Sequence, residues 1–335
     1  MNNHFQILLN KNFKTNKPQK KTILITGSSG FIGDYLVQAL THLNFKNCKI
    51  YGIDIVNPKQ KYKNFFFKKK SLYKIEKKDL QKKKFDYVIH LAGIPSPVYY
   101  KKNPLGTIFL NLNLAEMLMQ KACEDKSNFL YFSSSEIYGN PDPKFIPTKE
   151  IYPGFVSSIS DRSCYDESKR MGETLAYIYK TTKNLKAKII RPFNFYGNGM
   201  RADDKRIIPQ FFNQAINGKK ITVFASGKQT RTYCHIYDAV IMILKIMFYG
   251  KNFVYNVGNS NDEISALDLA FKIKKVCKDK KVKIAKIPYP KNYPSDEPQR
   301  RCPDLTLFLK EFGYKPSISI NEGLKEFKEY ALKFY

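Results

Sequence analysis

From Lys21 onward, short unbroken apolar runs alternate with longer stretches in which apolar residues recur every three or four positions. The first pattern reads as strands buried on both faces, the second as helices with one buried face. A run over Thr22–Thr26 enters a Gly-rich turn, after which Ile32, Leu36, Val37 and Leu40 share one helical face. Further runs at Cys48–Ile53, Tyr87–Leu91, Phe129–Ser133 and Lys188–Arg191 predict strands, the last closing the sheet. Thr107–Cys123 and Tyr165–Lys180 predict helices between them. This order predicts an α/β fold, a Rossmann-like doubly wound parallel sheet. After Pro192 the rhythm breaks into turns (NFYGNGM, NGKK, ASGK) mixed with helices such as Ile207–Ile216. We therefore expect a dinucleotide-binding domain over 21–193, with a segment near 232–258 returning to it. A smaller substrate-binding domain is expected over 194–335, and residues 1–20 should be a loose polar extension.

Composition narrows the classes. The 335 residues are 43% apolar and 14% aromatic, enough for a large core and too hydrophobic for intrinsic disorder. The longest apolar run, Ala239–Tyr249, contains Lys245 and falls short of the roughly 20 residues a membrane span needs. The N-terminus has a short apolar patch but no small-residue cleavage site, unlike a signal peptide. Cysteines at 48, 123, 164, 234, 277 and 302 form no CxxC pair, and histidines at 4, 42, 90 and 235 form no cluster. No metal site is expected, and reduced thiols in a cytoplasm are. The net charge is +29, but lysines are spread along the chain, so we read a composition bias and expect no specific nucleic-acid partner. Only eight of the 58 basic residues are Arg, and none precedes Arg162. Lys can replace Arg where only charge matters, but it cannot supply the planar fork that grips carboxylate or phosphate. Arginines kept in a Lys-biased chain are therefore candidates for anion recognition, and they mark the second half as the substrate half.

Gly27, Gly30 and Gly33 in TGSSGFIG follow a strand and open a helix, which suits a pyrophosphate on the helix N-terminus. The spacing is GxxGxxG rather than GxGxxG. Asp54 ends the second strand, where an acid can bond both ribose hydroxyls and repel a 2′-phosphate, so NAD is expected over NADP. Tyr165 and Lys169 in YDESK lie one helical turn apart, and Ser133, Ser134 and Ser135 end a strand of the same sheet. A Lys beside a Tyr, together with the positive nicotinamide ring, is expected to push the phenol below its ordinary value near 10, making a general base for an alcohol proton while hydride goes to NAD. Ser134 would hydrogen-bond the same oxygen.

TGSSGFIG, HLAG (His90–Gly93), SSSEIYG (Ser133–Gly139) and YDESK together resemble the extended short-chain dehydrogenase/reductases that act on nucleotide sugars. Within that family the likeness is greatest to the UDP-glucuronate decarboxylases, through IPSPVYY (Ile94–Tyr100), RSCYDESKR (Arg162–Arg170), RPFNFYG (Arg191–Gly197), GKQTRTY (Gly227–Tyr233) and RRCPDL (Arg300–Leu305). It covers about residues 21 to 330. The resemblance implies NAD bordered by Phe31, Ile32, Leu91, Ala92 and Asn111, besides the glycines, Asp54, Tyr165 and Lys169. It implies a UDP-sugar contacted by Ser96, Tyr100, Asn194, Arg206, Phe224, Arg231 and Arg301. Asn194 and Arg231 match positions on the diphosphate, and Arg206 and Phe224 positions near the base. Glu136 matches a glutamate that assists proton movement, and Arg301 an arginine held near the sugar carboxylate. A homodimer packed through the helix of Tyr165 and the one near Leu110–Met119 is also implied.

There are departures. Ser160 and Asp161 stand where the family has Gly–Pro, Ser168 replaces a glycine, and the adenine-contacting Asp expected near Lys70 or Ser71 is absent. Residues 154–160 are expected to border the sugar. The reaction expected is decarboxylation through a 4-keto sugar. The alternatives are a 4-epimerase, a 4,6-dehydratase (disfavoured, since Ser135–Glu136 lacks the Asp) or, from another class, a non-catalytic NAD-binding protein whose basic surface holds RNA.

Overall fold

A computed structural model describes residues 1–13, 20–43, 48–278, 282–290 and 298–335. Its centre is a sheet of strands β1 (Thr22–Thr26), β2 (Lys49–Asp54), β3 (Phe65–Lys69), β4 (Tyr87–His90), β5 (Asn128–Phe132) and β6 (Lys186–Pro192), with a seventh strand at Val254–Val257. Every pairing in it is parallel. The order runs seventh strand, β6, β5, β4, β1, β2, β3. The chain therefore reverses direction across the sheet between β1 and β4, and ligands of such sheets bind in the crevice outside the strand ends there. Two apolar cores cover its faces. One joins Ile25, Leu36, Leu40 and Ile50 to the helix Ile236–Tyr249, and the other joins Val88, Leu114, Leu118, Phe129 and Ile189. That helix carries the long apolar run and is almost wholly buried in the first core. A third core, from Tyr196 to Ala331, gathers Phe211, Phe212, Leu269, Ile273, Leu324 and Phe327 beside the sheet. Among the described residues no helix is long and apolar enough to cross a membrane, and no group of side chains could hold a metal ion.

Four expectations change. Residues 3–12 form a helix rather than a loose extension. Asn2 caps it by accepting a hydrogen bond from the His4 amide at 2.8 Å. Phe5 and Leu9, four apart on one face, are fully buried, and the Phe5 ring stacks on Tyr237 at 4.7 Å between centroids. The sheet is not closed by the strand at Lys188–Arg191, because Val254–Val257 pairs outside β6. The sheet also has the further strand β3 at its opposite edge, inside a Lys-rich stretch. The predicted helix Thr107–Cys123 lies within a continuous helical stretch from Pro104 to Asp125, with a π-turn at Leu110–Leu114 that carries Asn111.

Candidate active site

The Gly-rich turn sits at the carboxyl end of β1. Gly27 has φ +75°, and a Cβ there would lie 2.9 Å from the Ala92 nitrogen, so only glycine lets the turn press against the Leu91–Ala92 backbone. A Cβ on Gly33 would stand 2.2 Å from the Gly27 carbonyl oxygen, which fixes how closely the helix Phe31–His42 packs on the turn. Asp54, at the end of β2, accepts from the amides of Ser29 (2.9 Å) and Val56 (3.1 Å) and so faces the turn. The hydroxyls of Ser28 and Ser29 and Asn111 Oδ1 are buried with no hydrogen-bond partner. Buried polar atoms need partners, and a dinucleotide lying over the turn is rich in them, so these residues fit one. Phe31 and Ile32, half-buried, begin the helix. The Arg206 guanidinium stands over the Phe31 ring at 5.6 Å, joining this turn to the next feature.

That feature is a cavity of about 390 Å³. Its wall brings together Ser96, Tyr100, Glu136, Tyr165, Asn194, Arg206, Phe224, Arg231 and Arg301, residues drawn from every part of the chain between 96 and 301. The Tyr165 phenol is buried at the start of the helix Ser163–Lys183 and stacks on the Tyr100 ring, 5.2 Å apart and 13° from parallel. Ser134, leaving β5, hydrogen-bonds the phenol oxygen. Lys169, one turn along, is buried, and its ammonium donates to the Phe132 carbonyl at 2.7 Å. It lies 5.8 Å from the Tyr165 ring centroid and 5.4 Å from that of Tyr131. A bidentate pair, Arg191 to Glu173 at 2.6 and 2.9 Å, pins this helix to β6.

The electrostatics of the pair differ from the sequence expectation. Burial raises the phenol above its ordinary value, and the Ser134 contact offsets only part of that. The Lys169 ammonium is turned to the Phe132 carbonyl, and burial lowers it to about 7. His90, beneath, is neutral. Burial and the nearby Lys169 hold it at about 3, its Nε2–H donates to the Leu110 carbonyl, and its Nδ1 accepts from the Thr26 hydroxyl.

Arg162 was not singled out as a site residue by sequence reasoning. It is buried at the head of the same helix, donates to one oxygen of Glu136, and is held from behind by Asp166. Arg301 donates to the other oxygen of Glu136. The scarcity of arginine could have found Arg162, since four of the eight (162, 206, 231 and 301) line the cavity. Arg206 is also forked onto Asp204, and the other four are held by partners outside the cavity. Arg191 holds Glu173, Arg300 holds Glu263, Arg201 holds Asp203, and Arg170 donates to the Pro153 carbonyl. Asn194 takes a left-handed φ of +43° and donates to the Thr232 carbonyl at 2.9 Å, while Arg231 donates to the carbonyls of Thr230 and Pro298. Asn111 does not line the cavity but lies behind it, its amide donating to Ser168 at 2.9 Å. The serine that replaces a glycine therefore orients this side chain. Residues 154–160 do not line the cavity. Gly139 and Gly154 let that segment press onto the outer side of the turn Ser135–Tyr138.

Residues 23–258 match the NAD dependent epimerase/dehydratase family. The chain belongs to that family. NAD is thus its cofactor, in keeping with the turn and Asp54. UDP-glucuronic acid decarboxylase 6 of Arabidopsis thaliana is 34% identical over 312 residues, which span 92% of this chain and 88% of the relative. UDP-glucuronic acid decarboxylase 1 of Danio rerio is 30% identical, spanning 93% and 72%. A UDP-glucuronic acid 4-epimerase from Bacillus cereus, solved with UDP-glucuronic acid and NAD, superposes with a TM-score of 0.78 at 25% identity, covering 94% of this chain and 100% of its own. The UDP-glucose 4-epimerase of Thermotoga maritima has a TM-score of 0.82 at 23% identity, covering 93% and 99%, and so shares the fold.

Proposed function

We propose that this family member converts UDP-glucuronate to UDP-xylose and carbon dioxide. The observation that carries the reading is the meeting of Tyr165, Glu136, Arg162 and Arg301 on one cavity wall. Held over the Gly27–Gly33 turn and beside Asp54, NAD would supply the hydride acceptor for the sugar C4 and the donor that restores it within one turnover. Tyr165, held as its phenolate by the positive nicotinamide ring, takes the proton of the C4 hydroxyl, with Ser134 holding the same oxygen. The resulting ketone is β to the C6 carboxylate, which Arg301 orients through its two-pronged guanidinium. The C5–C6 bond breaks, carbon dioxide leaves, and the electron pair passes into the C4 oxygen as an enolate. Glu136 serves the proton that C5 then takes up, and Tyr165 gives its proton back as C4 is reduced. Asn194 and Arg231 hold the diphosphate, Arg206 and Phe224 the uracil end, and Ser96 and Tyr100 the sugar. The likeness to curated decarboxylases at 30–34% identity supports this substrate.

A second reading, supported by the likeness to the Bacillus cereus epimerase, keeps the carboxylate and inverts C4. Incubation of the pure protein with NAD and UDP-glucuronate carrying ¹³C at C6 separates the two. Labelled carbon dioxide with UDP-xylose is expected, whereas UDP-galacturonate without carbon dioxide would replace the first reading by the second. We also propose a homodimer through the exposed face of the helix Ser163–Lys183, and a reducing compartment, which the six free cysteines favour.

A further inference from the structure

Glu136 has both carboxylate oxygens engaged, one by Arg162 and one by Arg301. The Arg162 and Arg301 side chains are 5% exposed, while the Glu136 side chain is 23% exposed. The carboxylate thus forms the cavity side of the cluster. We propose that Glu136 holds the place of the substrate's own carboxylate, and that an acidic nucleotide sugar binds by exchanging its carboxylate for that of Glu136 on the Arg162–Arg301 pair. This rests on the reading that the sugar is a uronic acid.

Three features support the exchange. Two buried guanidiniums converging on one point repel unless an anion lies between them, and Asp166 accepts from Arg162 Nε rather than standing between the two. An anion is therefore needed there whether or not substrate is present. The backbone of Glu136 is fixed, because it sits in the turn Ser135–Tyr138 with its amide donating to Ser134 at 3.1 Å. The side chain alone has the freedom to swing into the cavity. Once displaced, its oxygens are released from the guanidiniums, and it is tethered two residues from Ser134, which bonds the Tyr165 phenol. Arrival of a carboxylate then frees the group that must handle the proton at C5. A neutral UDP-hexose brings no carboxylate and leaves Glu136 locked.

The test is calorimetric titration with NAD present, on a Tyr165→Phe background that blocks turnover. Adding Glu136→Ala should tighten UDP-glucuronate about tenfold or more, while UDP-glucose changes less than about threefold. Glu136→Gln, which keeps the shape, should move the affinity in the same direction, and it carries the test if the Ala variant melts. Formate at tens of millimolar should fill the emptied place in Glu136→Ala and weaken UDP-glucuronate but not UDP-glucose. Unchanged or weaker UDP-glucuronate binding in both variants overturns the exchange. If wild type releases carbon dioxide all the same, only the exchange has failed. If it releases none and both variants bind UDP-glucose as well as UDP-glucuronate, the uronic-acid reading has failed instead.

Discussion

Lys169 is a buried amine that titrates near pH 7, and its chemistry follows from that burial more than from its neighbour. In the unfolded chain it stays protonated up to about its ordinary value of 10.5. Between about 7 and 10.5 the unfolded state therefore binds the extra proton, so folding stability from this group rises with pH across that window. It is fully present above the unfolded value and lost as pH falls through about 7. The melting temperature of wild type relative to Lys169→Met should accordingly increase from pH 7 to pH 10, and a constant difference would refute the burial argument. Burial raises the phenol where the sequence reading, which counts on Lys169 and the nicotinamide ring together, expects it lowered, and charge adjacency in sequence says nothing of where an ammonium points. The glycines, Asp54 and the Tyr–Lys spacing were legible, because each is fixed by local geometry at a strand end or along one helix. The grip of Arg162 on Glu136 was not, because a contact across 26 residues depends on how the helix Ser163–Lys183 docks beside β5.

Elements were readable where burial made the pattern uniform. β1, β4 and β5 are covered on both faces and appear as plain apolar runs. β3 hides because it is an edge strand, and its FFFKK sequence leaves only a weak signal amid lysines. The helix Asn3–Asn12 hides for a different reason. Its buried stripe is only Phe5 and Leu9, too short to reveal a period, and its partners Tyr35 and Tyr237 lie far along the chain. Truncating a buried Phe typically costs about 3–5 kcal/mol. Phe5→Ala should therefore lower the unfolding free energy in denaturant titrations by that amount while leaving KM for the nucleotide sugar unchanged. A loss below about 1 kcal/mol would mean that the helix merely rests on the surface.

At the scale of the whole molecule, the parallel sheet brings the carboxyl ends of β1, β2 and β4 to the dinucleotide turn. Elements packed on the third core bring Arg206, Phe224 and Arg231 to the cavity wall, and Arg206 links that wall to the turn through the Phe31 ring. The helix Ser163–Lys183 exposes Met171, Tyr177 and Ile178, and Leu105 on the neighbouring helix is 79% exposed. Apolar residues exposed there suit a second copy. Sedimentation should give a dimer, with Met171→Glu plus Ile178→Glu giving a monomer, whereas a monomeric wild type would remove the proposal. The proposed chemistry starts at one phenol oxygen. Turnover of UDP-glucuronate by Tyr165→Phe is thus the most direct measurement. A fall of about 10²–10⁴-fold in carbon dioxide release, with nucleotide-sugar binding retained, is the predicted result. A variant that works at the wild-type rate would contradict the assignment of Tyr165 as the base that starts the reaction.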